Sequence, residues 1–277
     1  YSKKVFGKRL PFEVLLLILV STPVFRNFFN GQVNLLLLIC MGEFIRAIIS
    51  EKPYKAGLWL GLVLIKPQML VLILPFLLIQ KRYKVFLGFI ISSILIVGVS
   101  FLVAGMEGMI RFKDIIFESA RGGATSNFHL MMNWRAVSHY VTQFAGATAG
   151  TTVLVGGSVL SAVIPLYLFR KKISVESPKF IIALLGVTAA TSVATYHAHT
   201  HSGMILIPIL LFLYMDNIMG KRLFDIWFLM PSVFNLLQFF VGALVVSSVL
   251  PFTFASFVIF PNGLVLFVLN LILLGWA

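Results

Sequence analysis

Gly57-Leu-Trp-Leu-Gly-Leu-Val-Leu-Ile-Lys66-Pro67-Gln68-Met-Leu-Val-Leu-Ile-Leu-Pro-Phe-Leu-Leu-Ile-Gln80 is an apolar run broken once, at its middle, by Lys-Pro-Gln. A helix needs about 20 apolar residues to cross a bilayer, and each half supplies only about half of that. Lys52 and Lys55 precede the run and Lys81, Arg82 and Lys84 follow it; such basic clusters stay on the cytoplasmic face. With both ends on one side, the middle must turn round inside the protein. Residues 56 to 80 therefore read as two short helices in a re-entrant hairpin with Lys66, Pro67 and Gln68 at its tip. Pro67 donates no backbone hydrogen bond and pushes the preceding residue out of helical geometry, so the break falls where the charge sits.

A lysine at membrane depth is costly unless it meets water, an anion or backbone carbonyls. Two readings stand. In one, Lys66 snorkels to the nearer interface from a single tilted helix. In the other it marks an anion site of the kind a phosphate needs, with the second short helix pointing its N-terminal amides at the same spot.

Composition sets the class. Apolar residues make up 60% of the chain and charged ones 11%, with a mean hydropathy of +1.02, values of integral membrane proteins rather than soluble ones. The net charge of +13 would suggest nucleic acid in a soluble domain. Here the basic residues come in short clusters between apolar runs, so they report topology, and no nucleic-acid partner is expected. Cys40, the one cysteine, sits in an apolar run and reads as a packing residue. The chain opens on Tyr1 and stops at Trp276-Ala277 inside an apolar segment. It is expected to be one transmembrane domain over 1–277, a fragment lacking N-terminal helices with their first outer loop and cut at the C-terminus.

Taken in order, the basic stretch Tyr1 to Arg9 is cytoplasmic and residues 10 to 25 cross outward. The turn from Arg26 to Gln32 follows, and a helix from Val33 returns to Arg46. After the hairpin, Val85 to Ala104 crosses outward. Residues 105 to 150 form the longest polar stretch and lie outside. Within it, Met109 to Ala120 reads as a helix lying in the interface, Gly122 to Asn127 as a break, and Phe128 to His139 as a second short helix. Residues 151 to 169 return to Arg170-Lys171-Lys172, Lys179 to Tyr196 go out, and Gly203 to Met219 come back. Residues 223 to 249 go out again, with an outer loop from Pro251 to Gly263. About sixteen of the 22 basic residues then fall inside and about five outside, the bias expected of the cytoplasmic face.

Three polar groups gather on the outer side: the hairpin tip, the segment from Asn127 to His139, and His197-Ala-His199-Thr-His201. The alternating histidines would face one way in an extended segment and could bind a metal, whereas a helix would splay them by about 200° per step. They can equally be wetted loop residues or the polar lining of an active site. Asn133 and Arg135 read either as substrate contacts or as a solvated face, Trp134 as an interfacial anchor, and Gln32 and Asn34 as substrate contacts or helix-end caps.

Gly31-Gln32-Val33-Asn34 before an all-Leu helix, Ala56-Gly57-Leu-Trp-Leu-Gly61 leading to Lys66-Pro67, the basic loop after it, Asn133-Trp134-Arg135 and the histidine-bearing loop before Leu206-Ile207-Pro208 together resemble glycosyltransferase family 87 over about residues 31 to 212. The resemblance implies a polytopic, all-α enzyme of the GT-C type with a re-entrant hairpin and outer-face interfacial helices. It implies transfer of a sugar, typically mannose, from a polyprenyl-phosphate donor to a lipid or glycan acceptor on the outer face of the cell membrane. By the same resemblance His201 stands where the family loop carries a histidine, with Ser202 where a second is often found, and the catalytic carboxylate lies in a first outer loop before Tyr1. The site expected is then His201 as catalytic residue, with Lys66, Gln68, Arg135, Asn133, Gln32, Asn34, His129 and His199 holding donor phosphate and substrate, no metal and no cofactor. Two rivals from other classes remain: a transporter receiving a metal cation at His197, His199 and His201, and a structural assembly subunit that binds no ligand.

Overall fold

A computed structural model describes residues 9–120, 128–247, 249 and 261–277. Most of the basic N-terminal stretch, the Gly122 to Asn127 break and most of the Pro251 to Gly263 loop lie outside the described residues. Those described form helices and short 3-10 turns, with one isolated antiparallel bridge between Met131 and His199 and no strand. The helices are α1 (Phe12–Leu19), α2 (Thr22–Phe29), α3 (Asn34–Ile49), α4 (Pro53–Gly61), α5 (Ile73–Ile79), α6 (Tyr83–Ala120), α7 (Trp134–Leu168), α8 (Pro178–Ala194), α9 (Ile207–Met215), α10 (Lys221–Val246) and α11 (Pro261–Trp276). Three described helices, in α6, α7 and α10, are long and apolar enough to cross a membrane, and the pair α1 and α2 would make a fourth span bent by 50°.

That bend departs from the single crossing expected over residues 10 to 25. Ser21 is extended and Pro23 occupies the first turn of α2, where a missing N–H is harmless but a continuous helix is not possible. Arg26, expected in a turn, lies within α2 and is buried; its guanidinium donates to Asn235 Oδ1 at 2.9 Å and Gln238 Oε1 at 2.8 Å on α10.

Two glycines break the longest helices. Gly105 (φ 64°, ψ −175°) divides α6 and Gly146 (φ 84°, ψ 168°) divides α7, in a region that only glycine enters freely. After Gly146 the chain folds back on itself: the Trp134 ring lies over Gly157, its Nε1 donates to Ser161 Oγ at 2.9 Å, and Gly150 sits against Thr142. The spanning part of α7 is thus 147–168, close to the 151 to 169 read from hydropathy.

The Lys-Pro-Gln run behaves as two halves. α4 continues as a 3-10 turn over Leu62–Ile65, Lys66 is extended, and a second 3-10 turn over Pro67–Leu70 precedes α5. Gly57 lies against Val85, Gly88 and Phe89, and Gly61 against Ser92, so α4 and the start of α6 run side by side in the same direction. Between them the chain must go out and come back, with Lys66 at the far end and the Lys52–Lys55 and Lys81–Lys84 clusters at the near one. Gln80 secures the near end: its Nε2 donates to Phe169 O at 2.5 Å and Lys171 O at 3.0 Å, and its Oε1 accepts from Ile173 N at 2.7 Å. Arg82 also donates to Ile173 O. The two basic clusters Lys81–Lys84 and Arg170–Lys172 are therefore neighbours, as their shared sign requires.

The α4–α6 contact is tight enough to test. A Cβ on Gly57 would stand 2.0 Å from Val85 O and 2.6 Å from Phe89 N, both backbone atoms that cannot swing aside. Gly57→Ala should destabilise by about 1–3 kcal/mol, the usual range for overpacking, read as a lowered Tm of detergent-solubilised protein. Gly242→Ala, with open space around its Cβ, is the control and should leave Tm in place.

α8 is the central column, buried from Phe180 to Val193. Its hydroxyls satisfy themselves by donating back one turn, Thr188 to Leu184 O at 2.7 Å and Thr191 to Val187 O at 2.8 Å. At its end it delivers the polar segment Thr195 to Ser202 to the same pole as Lys66.

Candidate functional site

Lys66 (φ −132°, ψ 78°) owes its extended backbone to Pro67. Its Nζ donates to Gln32 Oε1 at 3.4 Å, a neutral partner supplied by the loop before α3. All nine acidic residues are described, and ion pairs among the described residues join Glu43 with Arg46, Glu107 with Arg111, Asp114 with Lys113 and Asp225 with Lys221. No carboxylate neutralises Lys66. The row of helix amides expected to share its anion is reduced, because Pro67–Leu70 is a 3-10 turn and Met69 N is taken by Lys66 O at 3.0 Å. An anion here meets the ammonium first.

Gln68 Nε2 donates to His197 O at 3.5 Å, joining the hairpin tip to the histidine segment. That segment is neither strand nor helix throughout. His199 is extended and bridges Met131, Met132 N donates to Ala198 O at 2.9 Å, and a 3-10 turn over Thr200–Ile205 begins one residue later. The rings pack in series, His197 edge-on to His199 at 4.6 Å and His199 stacked on His201 at 5.4 Å. Among the described residues no group of three His, Cys, Asp or Glu is disposed to hold a metal ion, so the metal-receiving rival does not find its geometry. Burial, the neighbouring His197 ring and the charges of Lys66 and Arg135 depress His199 to about 3. Burial and the same two cations lower His197, so both rings are neutral at physiological pH.

Arg135 is buried, its guanidinium 3.9 Å over the Tyr196 ring and 5.2 Å from that of Phe128. Phe128 in turn stacks on His139 at 4.1 Å. His129 belongs with His139 rather than with the 197–201 rings: its Nδ1 is 2.6 Å from Tyr140 OH, and His139 packs on the same tyrosine. Asn133 is fully buried and its amide is in use, Oδ1 accepting from Ala136 N at 3.2 Å as the cap of α7 and Nδ2 donating to Thr195 O at 2.9 Å. Asn133→Ala should therefore cost about 1 kcal/mol as a lost cap and loosen the Thr195 tie. The expected readout is a lower Tm, and an unchanged Tm with lost activity would instead make Asn133 a substrate contact.

Asn34 is the opposite case. Its backbone N donates to Asn27 Oδ1 at 2.9 Å, but the fully buried side-chain amide has no partner on either atom. Thr195 Oγ1, His197 Nδ1, Thr200 Oγ1 and His201 Nδ1 share that condition. Buried polar atoms are normally satisfied, so their gathering where α3, α8 and the 200–205 turn meet points to a place for polar ligand or water. Thr195 and Thr200 were missed from sequence, although a polar run in so apolar a chain was their signal.

Beside these groups is a cavity of about 390 Å³. Ile65, Lys66, Pro67, Gln68, Tyr196 and His197 line it together with Phe112, Ile115 and Ile116 from the second half of α6. Its lining joins one ammonium to a largely apolar surface.

The profile of glycosyltransferase family 87 matches residues 5–195, more than half of the chain. The chain belongs to glycosyltransferase family 87. Neither the curated proteins nor the solved structures give a match. As a family 87 member it is a glycosyltransferase of the membrane-helical kind, with a sugar donor and an acceptor as substrates. The matched range takes in the hairpin, the cationic tip and Asn133–Arg135, and it stops at Thr195. The family match therefore covers Lys66 and Arg135, whereas His197, His199 and His201 join the site by their position in the fold.

Proposed function

We propose that this family 87 enzyme transfers a sugar, mannose in the simplest case, from a polyprenyl-phosphate donor to a lipid or glycan acceptor on the outer face of the cell membrane. In this reading the helices form a GT-C type bundle in contact with membrane lipids, and residues 56 to 80 are a re-entrant hairpin. Support comes from the parallel run of α4 and α6, from the neighbouring basic clusters at the pole away from the site, and above all from Lys66. An ammonium with no carboxylate partner, lining a cavity with Phe112, Ile115 and Ile116, suits an anion carried on a lipid.

The chemistry follows from charge. As the sugar leaves its lipid phosphate, negative charge grows on phosphate oxygen, and cations already in place lower the barrier because they need no reorganisation. Lys66 takes the phosphate, with Arg135 held between two rings as the second cation. Gln68 and Gln32 orient that group, and Asn34 and His201 face the sugar or the acceptor hydroxyl. His129 and His199 shape the surrounding wall. The acceptor hydroxyl must lose a proton to a base. No cofactor enters.

The test is transfer of radiolabelled mannose by the complete protein in proteoliposomes, from synthetic polyprenyl-phosphate mannose or from a nucleotide-activated mannose. Transfer from the lipid donor alone is expected. Transfer from the nucleotide sugar alone would overturn the proposal.

A further inference from the structure

The second half of α6, residues 106–120, does something the head-group chemistry does not require. It leaves the bundle at Gly105, and Met106, Ile110, Phe112, Ile115, Ile116 and Phe117 are all exposed. Along it Glu107, Arg111, Lys113 and Asp114 pair among themselves. Phe112, Ile115 and Ile116 recur at helical spacing, and these three line the same cavity as Lys66. We infer that residues 106–120 form the wall that receives the first isoprene units of the donor, so that this half-helix selects the lipid carrier. The inference rests on the proposed donor and names the part of the site that reads its tail.

The chemistry of the cavity favours this occupant over a membrane phospholipid. In a prenyl phosphate the hydrocarbon begins at the carbon bonded to phosphate oxygen. A glycerophospholipid puts a polar glycerol diester between phosphate and chains. Here the cationic residue and Phe112, Ile115 and Ile116 line one cavity, and these three offer no polar side chain to an ester carbonyl. Burying a carbonyl without a partner is unfavourable, whereas an unbroken hydrocarbon gains by covering Phe112, Ile115 and Ile116. A volume of about 390 Å³ is near the lower end for small-molecule pockets, so it holds the phosphate and the start of the chain while the remainder runs into the bilayer. Exposure of Ile65, Phe112, Ile115 and Tyr196 leaves that exit open.

Two measurements decide it. A polyprenyl-phosphate mannose carrying a photoreactive diazirine in its first or second isoprene unit, bound to the complete protein in nanodiscs, is expected to label the peptide bearing residues 112–116. Excess polyprenyl phosphate should suppress that label, and excess phosphatidic acid should not. Label on another segment, or equal suppression by phosphatidic acid, would overturn the inference. The Ile115→Gln, Ile116→Gln double variant should raise KM for the lipid donor by about tenfold with kcat within twofold, and leave binding of a tail-free methyl phosphate of mannose unchanged; equal loss with the tail-free compound would also overturn it. Failure of the donor reading looks different: Lys66→Met would then bind polyprenyl phosphate as the unaltered protein does, whatever segment the diazirine labels.

Discussion

Replacing Lys66 with methionine in the complete enzyme is expected to lower turnover with a polyprenyl-phosphate sugar by about 100- to 1,000-fold, the range for removing one preorganised group that meets developing charge. Methionine keeps the length and apolar stem of lysine and removes only the ammonium. Because Lys66 has a neutral partner, Gln32, and no carboxylate among the described residues, the variant strands no buried opposite charge. Its Tm should hold or rise, since taking away an uncompensated charge at low dielectric is seldom destabilising. Lost turnover with preserved Tm is thus a chemical effect, and Lys66→Arg should restore part of it by returning the cation. Unchanged kcat and donor affinity in Lys66→Met would remove this residue from the mechanism.

The second large effect is expected at His201. It is buried, its ring stacks on His199, and its Nδ1 has no partner among the described residues. The 200–205 turn that carries it packs against α2 and α3, where Gly203 comes against Pro23. A neutral imidazole can donate from one nitrogen and accept at the other, which suits a hydroxyl or a departing phosphate. His201→Ala should reduce turnover by about 100-fold or more, as for other positioned proton-transfer groups. Milder losses are expected at His197 and His199, which are four and two residues nearer the start of the segment. His201→Gln, which keeps a donor and an acceptor, should recover part of the activity. Full activity with alanine at 201 would make the stacked ring a packing feature.

Family 87 membership was legible before any coordinates, because Gly31-Gln32-Val33-Asn34, Lys66-Pro67 and Asn133-Trp134-Arg135 are short linear patterns. The helical breaks were nearly so: the polar stretch placed from residue 105 to 150 begins and ends within a few residues of Gly105 and Gly146. Less legible were the roles. Asn34 reads as a cap or substrate contact and Asn133 as a substrate contact or solvated face, yet the fold makes Asn133 the cap of α7, tied also to Thr195 O, and leaves the Asn34 amide without a partner among the described residues.

The sequence by itself determined that this is a chain of apolar helices of membrane-spanning composition and that its helix breaks at Lys66-Pro67-Gln68. These are consequences of transfer free energy and backbone sterics, which depend on composition within a window of about 20 residues and on the residue next to a proline. Only the tertiary structure decided that Gln80 fastens one basic loop to another, that Trp134 folds α7 back onto Gly157, that Arg26 is held by α10, and that Phe112, Ile115 and Ile116 line one cavity with Lys66. Each of these contacts joins residues 20 or more positions apart. Close packing selects such partners by shape, and local pattern holds no record of the shape on the other side.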